Sequence, residues 1–127
     1  MINSRTKGRA GEQEVARILR DELGLEVHRN WLFQAAEGGA DLVGVPGWSI
    51  EIKRQKQLLL GDWWSQTVRQ AERSGDKPIL IYRLDRHPWR ARCRACDMSV
   101  CDHRFLVEME LADWCTVVRE ELNDQEH

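Results

Sequence analysis

Asp41, Glu51 and Lys53 are residue types that together can hold a divalent cation against a phosphate, and their spacing decides whether they meet. In the stretch Ile50-Glu51-Ile52-Lys53, extended backbone alternates its side chains, so Glu51 and Lys53 share one face while Ile50 and Ile52 pack on the other. Asp41-Leu42-Val43-Gly44 reads as the preceding antiparallel strand. A reversal centred on Pro46 sets Asp41 opposite Glu51 and Leu42 opposite Ile50. A one-residue slip would throw every side chain to the wrong face, and a two-residue Pro-Gly loop suits turn types whose twist splays a tight hairpin. Opposed residues hold their Cβ atoms roughly 4.5–5.5 Å apart, where like charges destabilise a sheet. A positive charge belongs between these two acids. Lys53 is one source and Mg2+ another, because Mg2+ takes one or two carboxylates and completes its octahedron with waters and phosphate oxygens. Beside it, Lys53 is a point charge able to orient water or hold a phosphate oxygen.

A third acid comes from the first helix. At about 100° per residue from Gly11 to Leu23, the apolar stripe is Val15, Ala16, Ile18, Leu19 and Leu23. Glu12 falls inside that stripe, while Glu14 and Asp21 fall on the opposite face as solvated charges. A carboxylate turned toward a core is costly unless it is paired or ligates a metal, and near a helix N-terminus the dipole also favours it.

A Glu on the first helix, then Asp, a short hairpin, Glu-x-Lys and a following helix resembles the PD-(D/E)xK, or restriction-endonuclease-like, nucleases. The short chain and the Gly38-Gly39-Ala40-Asp41-Leu42-Val43 segment look most like the archaeal-type Holliday-junction resolvases and related small phage nucleases. The likeness runs from about Arg5 to Arg83. It implies an α/β fold, a mixed sheet flanked by helices in the order α-β-β-β-α-β, with an extra C-terminal hairpin and helix. It also implies Asp41 and Glu51 as ligands of Mg2+ (or Mn2+), joined by the Ile52 carbonyl, with Lys53 activating water and Glu12 as an accessory acid at the metals. The family's proline is absent, since Ala40 precedes Asp41. The implied reaction is hydrolysis of DNA phosphodiester bonds by direct attack of water, leaving 5′-phosphate and 3′-hydroxyl ends. Branched DNA is the expected substrate and a homodimer the expected assembly, because paired cuts on a junction want two sites related by symmetry. Two alternatives remain: a nuclease of linear or damaged duplex, and a non-catalytic DNA-binding module.

The elements downstream must position these groups. Leu58-Leu59-Leu60-Gly61-Asp62 reads as a connection ending in an N-cap Asp, and Trp63 to Ser74 as a helix stopped by Gly75, with Trp64, Thr67, Val68 and Ala71 on its apolar face. Related nucleases place a polar residue, commonly Gln, on this helix; either Gln70 or Gln66 can serve, with Gln70 the better placed by angle. Lys77 to Arg83 is an apolar run suited to a central strand. Trp89 to Arg94 and Arg104 to Glu110 read as a hairpin, followed by a helix from about Leu111 to Leu122 and a frayed end from Asn123. The division expected is one nuclease domain over residues 1–127, with a catalytic core at 5–83, the hairpin at 88–110 and the closing helix at 111–122.

Charge is divided along the chain. Residues 1–94 carry 17 Lys and Arg against 12 Asp and Glu, and residues 95–127 carry 2 against 9. Arg5, Lys7 and Arg9 form a basic arm assigned to DNA, since phosphate neutralisation dominates nucleic-acid affinity; Arg54 and Lys56 are left as a solvated face. Trp31, Trp48, Trp63 and Trp64 are read as core aromatics before base-stacking platforms. Cys93-x-x-Cys96-x4-Cys101-x-His103 has ligands for a structural Zn2+, or is a hairpin tip with free thiols. Cys115 reads as a small buried apolar residue. No apolar run approaches the roughly 20 residues that span a bilayer, and the polar start is no signal peptide, so a cytoplasmic location is expected, that of the host if a phage encodes the chain.

Overall fold

A computed structural model describes residues 4–30, 40–55, 58–98 and 102–125, with side chains from residue 8 onward. The elements run α1 (Ser4–Leu23), β1 (His28–Arg29), β2 (Leu42–Val43), β3 (Trp48–Gln55), α2 (Leu60–Ser74), β4 (Lys77–Leu84), β5 (Arg90–Arg94), β6 (Leu106–Glu110) and α3 (Leu111–Gln125). Among the described residues all six strands form one mixed sheet in chain order. β3 and β4 are parallel, joined by the α2 crossover, and every other neighbouring pair is antiparallel.

Alternation along β3 sorts the two faces of the sheet. Trp48, Ile50 and Ile52 join Ile79, Ile81, Ala91 and Cys93 in a core covered by α1 and α3, where Val15, Leu19, Trp114 and Val118 are buried. On the other face Trp63 of α2 packs with Leu80 and Tyr82. The apolar stripe expected on α1 is the buried one: Val15, Ala16 and Leu19 are fully enclosed, and Ile18 and Leu23 pack against them.

Several elements differ from expectation for identifiable reasons. α2 starts at Leu60 rather than Trp63. Its N-cap, Leu59, makes no side-chain bond, and Asp62 lies in the first turn, where the helix dipole favours it. The buried face is Trp63, Thr67, Gln70 and Ala71; Trp64 and Val68 are only half-buried because the helix is rotated to seat Trp63 on Leu80 and Tyr82. Gly75 ends α2 in the left-handed region (φ +75°), its N–H donating to the Ala71 carbonyl. The C-terminal helix carries Asn123 through Gln125 instead of fraying, and the hairpin strands begin one and two residues later than expected. Glu14 is not simply solvated: Trp89 Nε1 (3.1 Å) and Arg83 Nη1 (3.3 Å) both donate to its Oε1.

Candidate active site

The hairpin between β2 and β3 sets the acids. Leu42 lies opposite Ile50, the expected register. The turn itself is nevertheless a Pro46-Gly47 pair: Trp48 N–H donates to the Val45 carbonyl (3.4 Å) and Gly47 has φ +81°. The extra residue is absorbed at Gly44 (φ +116°), whose backbone runs so close to Glu26 and Val27 that no side chain fits there. Register and turn therefore agree only because glycine follows Val43.

Beyond Leu42, Asp41 N–H donates to the Ile50 carbonyl (2.8 Å), and Ile52 N–H donates to the Asp41 carboxylate at Oδ2 (2.7 Å). The carboxylate thus occupies the place where a ladder carbonyl would have continued the sheet, and it is fixed by the backbone of the strand that carries Glu51. Asn30 clamps the same segment, its N–H on the Asp41 carbonyl (2.9 Å) and its Nδ2 on the Ala40 carbonyl (3.0 Å).

Glu51 is 3% exposed. Lys53 Nζ lies 3.5 Å from its Oε1, but its Oε2 is buried with no hydrogen-bond partner. Burial holds the Asp41 carboxyl well above the usual carboxylate range; the Glu51 charge raises it further, the Ile52 N–H opposes this, Glu12 adds a smaller upward push and Lys53 a smaller downward one. Glu51 is raised as well, first by burial, against the lowering pull of Lys53 and a hydrogen bond shared with Asp41. Two acids in one low-dielectric site, one of them with an unmet acceptor, carry more negative charge than Lys53 alone answers.

Glu12 is brought to this site from α1 and influences both acids. It is half-buried, and Arg29 Nε on β1 donates to its Oε1 (2.8 Å). Sequence reasoning missed Arg29, whose partner is 17 residues away. Gln70 is buried and its Oε1 has no partner; among the described residues it makes no hydrogen bond to the acids or Lys53.

The sequence profile of a family described as "Phage putative PDDEXK endonuclease" matches residues 3–103. The chain belongs to that family. Its likeness to the restriction-endonuclease-like nucleases is therefore a family relationship, and the fold agrees. Protein D14 of Escherichia phage T5 is 31% identical to this PDDEXK endonuclease over 78% of this chain and 76% of that protein. Among solved structures, Hjc of Archaeoglobus fulgidus, a Holliday junction resolvase from an archaeal hyperthermophile, superposes with a TM-score of 0.56 at 23% identity, covering 87% of this chain and 96% of that one.

The remaining candidates fall elsewhere in the PDDEXK endonuclease fold. Arg5, Lys7 and Arg9 form no separate arm but the first turns of α1; Arg9 is exposed, and the side chains of Arg5 and Lys7 lie outside the described residues, as do Gly38, Gly39, Trp31 and Lys56. Three of the four zinc candidates lie within the described residues. Cys93 is fully buried in the core under α3, where burial pushes its thiol up to about 12. Cys96 is half-buried in a short 3-10 turn (Ala95–Met98), His103 is exposed and stacked 6.0 Å from Phe105, and Cys101 lies outside the described residues. Cys96 N–H donates to the His103 carbonyl (3.0 Å), and no group of three candidate ligands stands together among the described residues. Cys115 is buried as expected, its thiol raised to about 11 by burial. Trp48 and Trp63 are core residues, the former edge-on to Trp114.

Among the described residues no helix is long and apolar enough to cross a membrane.

Proposed function

We propose that this chain is a divalent-cation-dependent endonuclease that hydrolyses DNA phosphodiester bonds, with branched DNA such as a four-way junction as its substrate. The observation that carries the reading is the buried Glu51 Oε2 without a donor beside a second buried carboxylate. An all-oxygen donor set of two acids fits Mg2+, or Mn2+ in its stead, better than softer metals. Asp41 and Glu51 would hold the cation, with Glu12 in reserve at the rim under the control of Arg29. Such a cation supplies a lowered pKa for water, a neutralised phosphate and a stabilised leaving oxygen.

The chain's own groups do the rest. Ile52 N–H keeps the Asp41 carboxylate in one orientation, so it is aimed before substrate arrives. Lys53, one-fifth exposed, can leave Glu51 for a phosphate oxygen or for the attacking water, orienting that water and stabilising charge as it develops. A buried Gln70 amide offers polar support from α2 on the same sheet face.

The fold shared with a junction resolvase supports branched DNA, and paired cuts on such a substrate would require two sites, hence a homodimer. The test is cleavage of a synthetic four-way junction against a duplex of equal length, in Mg2+ and in EDTA, with wild type and Asp41→Asn. Expected are Mg2+-dependent nicks, faster on the junction, ending in 5′-phosphate and 3′-hydroxyl and lost in the variant. Equal rates on both DNAs would discard branch preference. Cutting by Asp41→Asn at the wild-type rate would discard the site.

A further inference from the structure

Three residues past Glu51, on the opposite face of β3, stands Arg54, and the parallel register sets Arg83 of β4 directly beside it. Neighbouring strands are about 4.8 Å apart, so two guanidinium stems rise side by side at the C-terminal ends of the parallel pair. That is the edge at which open α/β sheets bind their ligands. Like charges placed this way destabilise a sheet, and among the described residues a single acid attends them. Glu14 takes Arg83 Nη1 at 3.3 Å while also serving the Trp89 indole. Arg54 has no ion pair or hydrogen bond among the described residues, and the Nε–H groups of both arginines are buried without an acceptor. Other half-buried arginines do not share this condition: Arg29, Arg90, Arg92 and Arg94 each meet an acid.

The stem of Arg54 packs against Gly11 of α1, and Gly8, one turn earlier on that helix, has open space where a side chain would begin. Arg83 is already fixed, stacked 5.0 Å over the Trp89 ring and tied to Glu14.

We propose that Arg54 and Arg83 form a phosphate-binding subsite that grips the DNA backbone at a position flanking the phosphate to be cut. The proposal rests on the DNA-nuclease reading above. A guanidinium presents planar N–H donors that match phosphate oxygens two at a time, so one phosphate answers both unmet Nε groups and separates the two like charges. Arg83 supplies the pre-set half of the clamp and Arg54 the uncommitted charge.

The experiment measures binding of fluorescein-labelled duplex and four-way junction across a salt series, in EDTA so that no cleavage intervenes, with cleavage in Mg2+ assayed separately. Arg54→Gln should raise Kd about tenfold to a hundredfold and reduce the slope of log affinity against log salt by about one. Arg54→Lys should restore the slope but not the full affinity. Arg92→Gln, whose guanidinium is held by Glu108 on the other face of the sheet, should leave both unchanged. Thermal melts confirm that each variant is folded. Wild-type Kd and slope in Arg54→Gln, in a protein whose wild-type form cuts DNA, overturn the subsite and leave the nuclease reading standing. A wild-type protein that neither binds nor cuts either DNA removes both.

Discussion

Replacing Glu51 by Gln should make the metal-free protein more stable and inactive at once. The electrostatics of the site set the size of the effect. Two unit charges about 4 Å apart interact by about 4 kcal/mol at an effective dielectric near 20. Attraction to Lys53, 3.5 Å away, is of about that size, and the charge of Glu51 in turn pushes against the neighbouring Asp41. What remains is a carboxylate oxygen in the interior with no donor, an unmet acceptor that costs about 1–3 kcal/mol. Glutamine keeps the shape, removes the charge and can donate to Asp41, so Glu51→Gln should gain about 1–3 kcal/mol in EDTA.

Mg2+ should reverse the order. At a hundred times its Kd a ligand of the native state adds about 2.7 kcal/mol, and wild type should collect this while Glu51→Gln gains little. Urea unfolding in EDTA and in Mg2+, read by tryptophan fluorescence, gives all four stabilities. If Glu51→Gln is the weaker protein in EDTA, or if Mg2+ stabilises both forms equally, Glu51 is merely the structural partner of Lys53 and the reasoning fails.

Lys53→Ala should slow single-turnover cleavage by about a hundredfold to ten-thousandfold while leaving DNA binding in EDTA within about a factor of ten; unaltered cleavage would strip Lys53 of its role. Tyr82, the protein's one tyrosine, has its hydroxyl pushed up to about 12, first by burial and then by its 2.6 Å hydrogen bond to Glu108. Its folded value is raised, so the stability it contributes is complete below about pH 10 and is lost as pH rises from about 10 to about 12; at pH 11 the folded protein should show roughly a tenth of its tyrosinate absorbance, against nine-tenths for free tyrosine. Gly44→Ala should destabilise the fold by at least about 3 kcal/mol in urea, because a Cβ at φ +116° meets the Glu26 carbonyl and lies 2.9 Å from Val27 Cα; a loss under about 1 kcal/mol would mean that the β2–β3 hairpin can shift its register.

What the sequence made legible was set by local repetition. Leu42, Ile50 and Ile52 alternate on one face, and that alternation led to the Leu42–Ile50 pairing that the hairpin shows. The same signal could have placed Cys93: in Arg90-Ala91-Arg92-Cys93-Arg94 the small apolar residues alternate with arginines, which sends Cys93 to the core with Ala91 and weakens the metal reading that spacing suggested. Glu14 was misplaced because its partners, Arg83 and Trp89, are about seventy residues away, and helix periodicity cannot see a neighbour that only the sheet brings in. The start of α2 was missed for a related reason. Asp62 looked like an N-cap, but the rotation and length of α2 are set by Trp63 seating on Leu80 and Tyr82, a tertiary contact that overrides capping preference.

β3 carries both halves of the functional argument, three residues apart. On one face Glu51 has an acceptor without a donor; on the other Arg54 has a donor without an acceptor. Folding could have answered either defect with an internal partner, as it did for Arg29 with Glu12 and for Arg92 with Glu108. Leaving both open at one strand selects a ligand with complementary signs at short range, a cation adjoining a string of anions. A phosphodiester backbone with its divalent counter-ion has that character, and neither a free metal ion nor an acidic peptide alone does. On the proposed reading, the strand that defines the family's motif also sets the polarity in which DNA crosses it, with the cut phosphate over Glu51 and Lys53 and its neighbour toward Arg54.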